Sequence, residues 1–196
     1  AMQDMLDTGL LAARAALVNT TALKNDVTAG ATPSISHTNL LDTLAKFGDK
    51  ASRVVCWVMH SRQFFDLAKQ SIVDQIPDIA SNVISAYNVQ GFNRPFVVTD
   101  SASLINSSTY YVLGLAPGGI EIMQSEDQQI ESEMVTGLEQ LVMRIQGEYA
   151  YDVGVKGYTW DVANGAANPD ATAIGTGSNW DASQTSDKDR AGVVLV

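Results

Sequence analysis

Cys56 and His60 are the residues whose types most directly suggest catalysis, because a thiol and an imidazole can form a nucleophile–base pair. Such a pair needs hydrogen-bond contact between its two side chains. Cys56 lies in the apolar run Val54–Met59, which predicts a central buried strand. Residues four apart in a strand are separated by roughly 13 Å, so this spacing keeps them apart. The sequence therefore predicts a buried, inert Cys56, with a Cys56-dependent hydrolase as the enzymatic alternative.

Two other patterns imitate ligand sites without completing them. A calcium-loop spacing of oxygen-bearing side chains is formed by Asp181, Ser183, Thr185 and Asp187. Its sixth position is Ser186 where the loop needs glycine, and its twelfth is Gly192 where it needs glutamate. The glycine-containing segment Gly114–Gly119 lacks the lysine and following helix of a phosphate-binding loop. A polar loop and a turn are the better interpretations, and no metal or cofactor is predicted.

Carboxylates concentrate in one stretch of the chain, at Glu121, Glu126, Asp127, Glu131, Glu133 and Glu139. Paired carboxylates can perform acid–base catalysis, but charges along the outer face of a hairpin are usually solvated. They can also form ion pairs between subunits. The candidate subunit-interface residues are therefore Glu131, Glu133, Glu139, Arg144 and Glu148.

The composition of the chain argues against several classes of protein. The chain has 196 residues, 45% of them hydrophobic, which is enough for one large core or two small ones. Its net charge is −10 and its 12 basic residues are scattered, which argues against nucleic-acid binding. No apolar run approaches the roughly 20 residues of a membrane helix. The single cysteine excludes an internal disulfide and favours a reducing compartment.

Apolar residues spaced three and four apart predict three helices. The first covers Met2–Asn19 and the second Asn39–Phe47, capped by Thr38 or Asn39 and ended at Gly48. The third begins near Ser61 and ends near Gln70. Between the first two helices, the sequence predicts a loop or weak strands.

Strands dominate the remainder, at residues 53–59, 95–99, 109–115, 120–124, 130–136 and 191–196. The longest pattern runs from Leu141 to Val155, where every odd position is apolar or glycine. It predicts one buried and one solvated face, joined to the preceding strand by a loop at Thr136–Gln140. The strand would span roughly 50 Å. A subunit that reaches across its neighbours has more use for such a strand than a compact domain has.

Five segments together resemble a known family: Asp42–Asp49 (DTLAKFGD), Val58–Phe64 (VMHSRQF), Arg94–Asp100 (RPFVVTD), Tyr110–Gly119 (YYVLGLAPGG) and Gly157–Trp160 (GYTW). The chain from about residue 37 to 196 is similar to the major capsid proteins of tailed bacteriophages with the Hong Kong 97-type fold. The resemblance implies an α+β fold. Its divisions would be a helical part at 1–52, an axial domain at 53–124, the long β-hairpin of the peripheral domain at 125–155 and a return to the axial domain at 156–196. The helix at 40–47 would be the spine helix.

The implied function is structural and not enzymatic: self-assembly into pentamers and hexamers of an icosahedral shell around DNA. The partners would be other copies of the chain, with scaffolding and portal proteins, in a virion capsid assembled in the bacterial cytoplasm. The nearest alternative is an encapsulin-like compartment, which would differ by a cargo-peptide groove. The opening Ala1-Met2 looks like a tag remnant, and the family's N-terminal arm and extended loop are not found. We therefore expect this chain to form monomers or small salt-sensitive oligomers and no closed shells.

Overall fold

A computed structural model describes residues 2–30, 33–75, 94–135, 137 and 142–196, and it mixes α-helices with β-strands as predicted. The helices are α1 (Met2–Asn19), α2 (His37–Ala45), α3 (Ser61–Gln75), α4 (Val162–Gly165) and α5 (Ala171–Ile174). The strands are β1 (Lys24–Asn25), β2 (Cys56–Met59), β3 (Phe96–Val98), β4 (Ile105–Asn106), β5 (Thr109–Tyr110), β6 (Val112–Leu115), β7 (Ile120–Val135), β8 (Val142–Val155), β9 (Tyr158–Trp160), β10 (Trp180–Ala182) and β11 (Gly192–Leu195). No helix among these residues is long and apolar enough to cross a membrane.

The core forms around a five-stranded sheet with the strand order β1-β11-β6-β2-β3. Strands β11 and β2 both pair antiparallel with β6, and β3 runs parallel to β2. Trp57 on β2 is fully buried and covers the backbone of Gly114 on β6, where an added Cβ would lie 2.8 Å from the Trp57 ring. The prediction of a central strand is confirmed, because β2 has a neighbour on each side.

Helix α1 has the predicted bounds and joins the sheet to the rest of the chain. Its buried face is made mainly of small residues, Ala12, Ala13, Ala15 and Ala16, so neighbouring elements can approach the helix closely. Gly9 lies against β7, where an added Cβ would be 3.0 Å from side-chain atoms of both Ile120 and Ile122. The glycine that weakens the helix is therefore a contact point for β7.

Several predicted boundaries are wrong, for local reasons. Helix α2 begins at His37 because the Ser36 hydroxyl accepts a hydrogen bond from the Asn39 N–H, so Ser36 is the cap. The strand predicted from residue 53 begins at Cys56, since a 3₁₀ helix occupies Gly48–Arg53. The strand predicted at 109–115 is divided between β5 and β6, which belong to different sheets. Helix α3 extends to Gln75, beyond the predicted end at Gln70.

The last part of the chain is fixed by aromatic and ionic contacts that the sequence did not indicate. Strand β10 pairs with β9, which brings the rings of Trp160 and Trp180 to 4.9 Å between centroids. The buried Arg190 guanidinium forms an ion pair with Asp187 at 2.7 Å and lies over the Tyr158 ring at 5.5 Å. These contacts anchor the loop that leads into β11.

Strands β7 and β8 form a separate two-stranded sheet, the β-arm. The two short strands predicted at 120–124 and 130–136 are in fact one strand, β7. Between Gln124 and Gln129 it advances five residues while β8 advances three, from Tyr151 to Glu148, so two extra residues are held in bulges. Because two is an even number, side chains of β7 at alternate positions point to the same side of the β-arm before and after the bulges.

Candidate functional site

The outer part of the β-arm has two chemically distinct faces. Directly paired residues of antiparallel strands point to the same side, so the register defines each face. One face, called here the apolar face, consists of Ile130, Ser132, Met134, Met143, Ile145 and Gly147. The opposite face, called here the charged face, consists of Gln129, Glu131, Glu133, Arg144, Gln146 and Glu148, with the pair Val135 and Val142 at its outer end.

The apolar face corrects a prediction made from the sequence. The alternation is real, and Met143, Ile145, Tyr149 and Tyr151 share one side of β8 as expected; Leu141 lies outside the described residues. However, Ile130, Met134, Met143 and Ile145 are each 62–66% exposed, so no described part of this chain buries them. The sequence indicated that this face is apolar, but it could not show which molecule covers it.

The covered part of the same face lies at the root of the β-arm, against α1. The hydroxyl of Tyr149 donates a hydrogen bond to Asp4 at 2.8 Å, and this bond raises the pKa of Tyr149 above its ordinary value. Tyr151 also contacts the Asp4 carboxylate, at 3.2 Å, and its hydroxyl lies 2.9 Å from that of Thr8. Beyond these contacts the face continues as the exposed apolar face.

The charged face contains four of the five predicted interface residues: Glu131, Glu133, Arg144 and Glu148. Glu139 lies outside the described residues. Arg144 is directly opposite Glu133, and all four side chains are exposed. Residues of the apolar face were not among the sequence candidates, although the alternation of β8 was the signal that could have identified them.

The predicted thiol environment is only partly right. Cys56 is half-buried and not fully buried, because it is the first residue of β2 and its neighbour Trp57 fills the core. Burial raises the pKa of the Cys56 thiol, which opposes formation of the reactive thiolate. His60 instead packs its ring against Tyr110 at 5.2 Å and lies 3.7 Å from Asp100. The inertness of Cys56 toward thiol reagents stays a prediction.

A second charged surface lies at the end of the five-stranded sheet where the β-arm begins. Asp189 accepts hydrogen bonds from Lys50 at 2.6 Å and Arg53 at 2.7 Å, and Lys188 pairs with Asp49. The exposed Lys46 precedes Gly48, against which the Lys188 side chain lies. These six side chains, four bases and two acids, are called here the basic patch.

Asp189 should make folding sensitive to acid. Its hydrogen bonds with Lys50 and Arg53 hold the pKa of its carboxyl below the ordinary value. A depressed carboxyl pKa stabilises the folded state above the unfolded-state pKa, and this contribution disappears as pH falls through the folded-state pKa. The melting temperature of Asp189→Asn should therefore be below that of wild type near neutral pH, and the gap should close below about pH 4.

Thermal unfolding followed by circular dichroism from neutral to acid pH measures this gap. Asp181→Asn is the matched control, since the exposed Asp181 makes no ion pair with a described residue. It should leave the melting temperature unchanged throughout. A gap for Asp189→Asn that is constant at every pH would contradict the assignment.

A comparison with known protein families identifies the family of this chain. The family model of the Gp13-like proteins, described as major capsid protein 13-like, matches residues 1–194. The chain belongs to this family. No curated protein matches the chain.

Family membership confirms the resemblance to phage major capsid proteins and gives the exposed faces a context. The Gp13-like chain is a structural component of a bacteriophage capsid, and its family implies self-assembly into a shell. Contacts between whole side-chain faces, rather than a catalytic group, are what this role requires.

Proposed function

We propose that this chain is the shell subunit of an icosahedral bacteriophage capsid, assembling as pentamers and hexamers around DNA with a Hong Kong 97-type fold. The observation that carries the proposal is the exposed apolar face of the β-arm, which a second copy of the chain covers in the shell. Large exposed apolar patches on a soluble protein mark interaction sites. The capsid family supplies the identity of the partner.

The energy available from the apolar face suits a reversible shell contact. Covering Ile130, Met134, Met143 and Ile145, each about one third buried already, contributes about 4–8 kcal/mol. Association itself costs an estimated 4–15 kcal/mol in lost freedom of motion, so one such contact is weak. A closed shell repeats the contact at every subunit, and this multivalency makes the assembly stable. Weak individual contacts also allow misplaced subunits to dissociate.

The division of the chain into domains follows from the same proposal. The hairpin at 125–155, which makes up most of the β-arm, belongs to a peripheral domain. Residues 53–124 and 156–196 supply four of the five strands of the central sheet and belong to an axial domain that gathers around the symmetry axes. The 1–52 segment, including the proposed spine helix at 40–47, completes the peripheral domain. Scaffolding and portal proteins are the further partners, and assembly takes place in the bacterial cytoplasm.

Methionine oxidation tests whether the apolar face is covered in the assembly. Dilute hydrogen peroxide converts exposed thioethers to sulfoxides, and mass spectrometry locates them. Met134 and Met143 should be at least about threefold less oxidised in self-associated chain, at about 100 µM, than in monomer at about 1 µM. The reason is that a neighbour occupies their face only in the assembly.

The chain contains its own controls for this experiment. Met123 is 68% exposed but points to the other side of the β-arm, so its oxidation should be the same in both samples. Met59 is fully buried and should resist oxidation in both. Equal oxidation of Met134 and Met143 in monomer and assembly would overturn the proposed interface.

A further inference from the structure

We infer that the charged face of one copy docks on the basic patch of the next copy, so that the subunits join head to tail. This inference rests on the proposed self-association and adds to it a second contact between subunits, separate from the one at the apolar face. The charged face carries three carboxylates and one guanidinium, a net charge of −2, from Glu131, Glu133, Glu148 and Arg144. The basic patch carries four bases and two acids, a net charge of +2.

The two surfaces are complementary in a chain whose net charge is −10. Most random contacts between such acidic subunits are repulsive, and contact at the basic patch replaces repulsion with attraction. Glu131, Glu133 and Glu148 form no ion pair with any described residue. The basic patch also retains capacity, because Lys46 is exposed and makes no ion pair within the described part of the chain.

The topology prevents a chain from joining these surfaces within itself. The basic patch lies where β2 and β11 begin, beside Leu115, which pairs with both Cys56 and Gly192. The turn that follows Leu115 leads into β7, so the patch lies at the root of the β-arm. Glu131 pairs with Gln146, nine residues along β8 from Val155 at the root, which places Glu131 roughly 30 Å from the root.

A contact between the outer end of one copy and the root of another is heterologous. Each subunit then offers both an unoccupied charged face and an unoccupied basic patch to further copies, so the contact propagates until a ring closes. This is the type of contact that rings of five and six subunits require. It leaves the apolar face on the opposite side of the β-arm available for a different neighbour.

Charge reversal with mixed rescue tests the pairing. Glu131→Lys with Glu133→Lys changes the charged face from −2 to +2, and Lys46→Glu with Lys50→Glu changes the patch from +2 to −2. Each double variant alone should self-associate about tenfold more weakly than wild type at low salt, in sedimentation velocity. An equimolar mixture of the two should associate within about threefold of wild type, because each reversed surface meets a reversed partner.

The matched control for the Glu131/Glu133 variant reverses two exposed aspartates outside the β-arm and the basic patch, Asp66→Lys with Asp181→Lys, and produces the same change in net charge, from −10 to −6. Its self-association should remain within about threefold of wild type.

Salt separates this contact from the apolar one. High salt should remove the effect of the charge reversals, since it screens exposed charges, while the apolar contact persists. Arg53 still pairs with Asp189 when Lys50 is replaced, so we expect the Lys46→Glu, Lys50→Glu variant to fold. If it unfolds, Lys46→Glu alone replaces it as the variant of the basic patch.

Two outcomes overturn the inference. One is an equimolar mixture of the two double variants that associates no better than either folded variant alone. The other is a Glu131→Lys, Glu133→Lys variant that associates like wild type at low salt. Either result leaves the proposed shell function standing if the methionines of the apolar face are still protected. Loss of that protection in wild type would instead remove the proposed function itself.

Discussion

Ile145→Glu should weaken self-association of the chain by about 100-fold, equal to about 2.7 kcal/mol. Ile145 lies in the middle of the apolar face, opposite Ser132 and between Met143 and Gly147 on the same side of β8. A carboxylate buried there by a neighbouring copy would have no partner, and burial of an unpaired charge is strongly unfavourable. The folded monomer should be unaffected, because Ile145 is 66% exposed in the single chain.

Gln146→Glu is the matched control, since it adds the same charge one residue away but on the charged face. Sedimentation velocity over a range of concentrations should show wild-type association for this variant, or slightly stronger association at low salt. Thermal unfolding checks that both variants fold. The apolar interface is refuted if the two variants associate equally well, or if wild type stays monomeric at about 100 µM.

Gly192→Ala should have the largest effect on folding, a loss of at least about 3 kcal/mol in the free energy of unfolding. Gly192 begins β11 with a φ of +154°, and an added Cβ would lie 2.0 Å from the carbonyl oxygen of Gly114 on β6. That atom belongs to the backbone of the central sheet, so it cannot move aside as a flexible side chain would. The pairing of β11 with β6 must open, and we expect largely insoluble protein.

Gly154→Ala is the control for this prediction. Gly154 lies in β8 at the root of the β-arm, and the nearest atom to an added Cβ is 3.8 Å away on Glu121, an ordinary contact. Its free energy of unfolding in urea should stay within about 0.5 kcal/mol of wild type. A Gly192→Ala variant that unfolds at the same urea concentration as Gly154→Ala would show that the close approach of β11 and β6 is not required.

The sequence could predict elements whose pattern is local. Helix α1 needed only its three- and four-residue spacing of apolar side chains, and its bounds are those predicted. Strand β2 needed only an apolar run, and β8 only its alternation. The polar stretch between Gln124 and Gln129 has no such pattern, because all of its side chains in β7 are exposed and bulges interrupt the ladder. Sequence reasoning therefore divided β7 into two strands.

By itself, then, the sequence determined an acidic α+β protein with one long alternating strand, and its motifs indicated the capsid family. Only the tertiary structure decided that the apolar side of that strand is exposed beyond Tyr149, because the first turns of α1 contact Tyr149 and Tyr151 and no described residue covers Met143 or Ile145. It also decided that Lys50, Arg53 and Lys188, distant in sequence, share one surface at the root of the β-arm. Alternation reports which side chains share a face, whereas coverage depends on contacts between residues far apart in the chain.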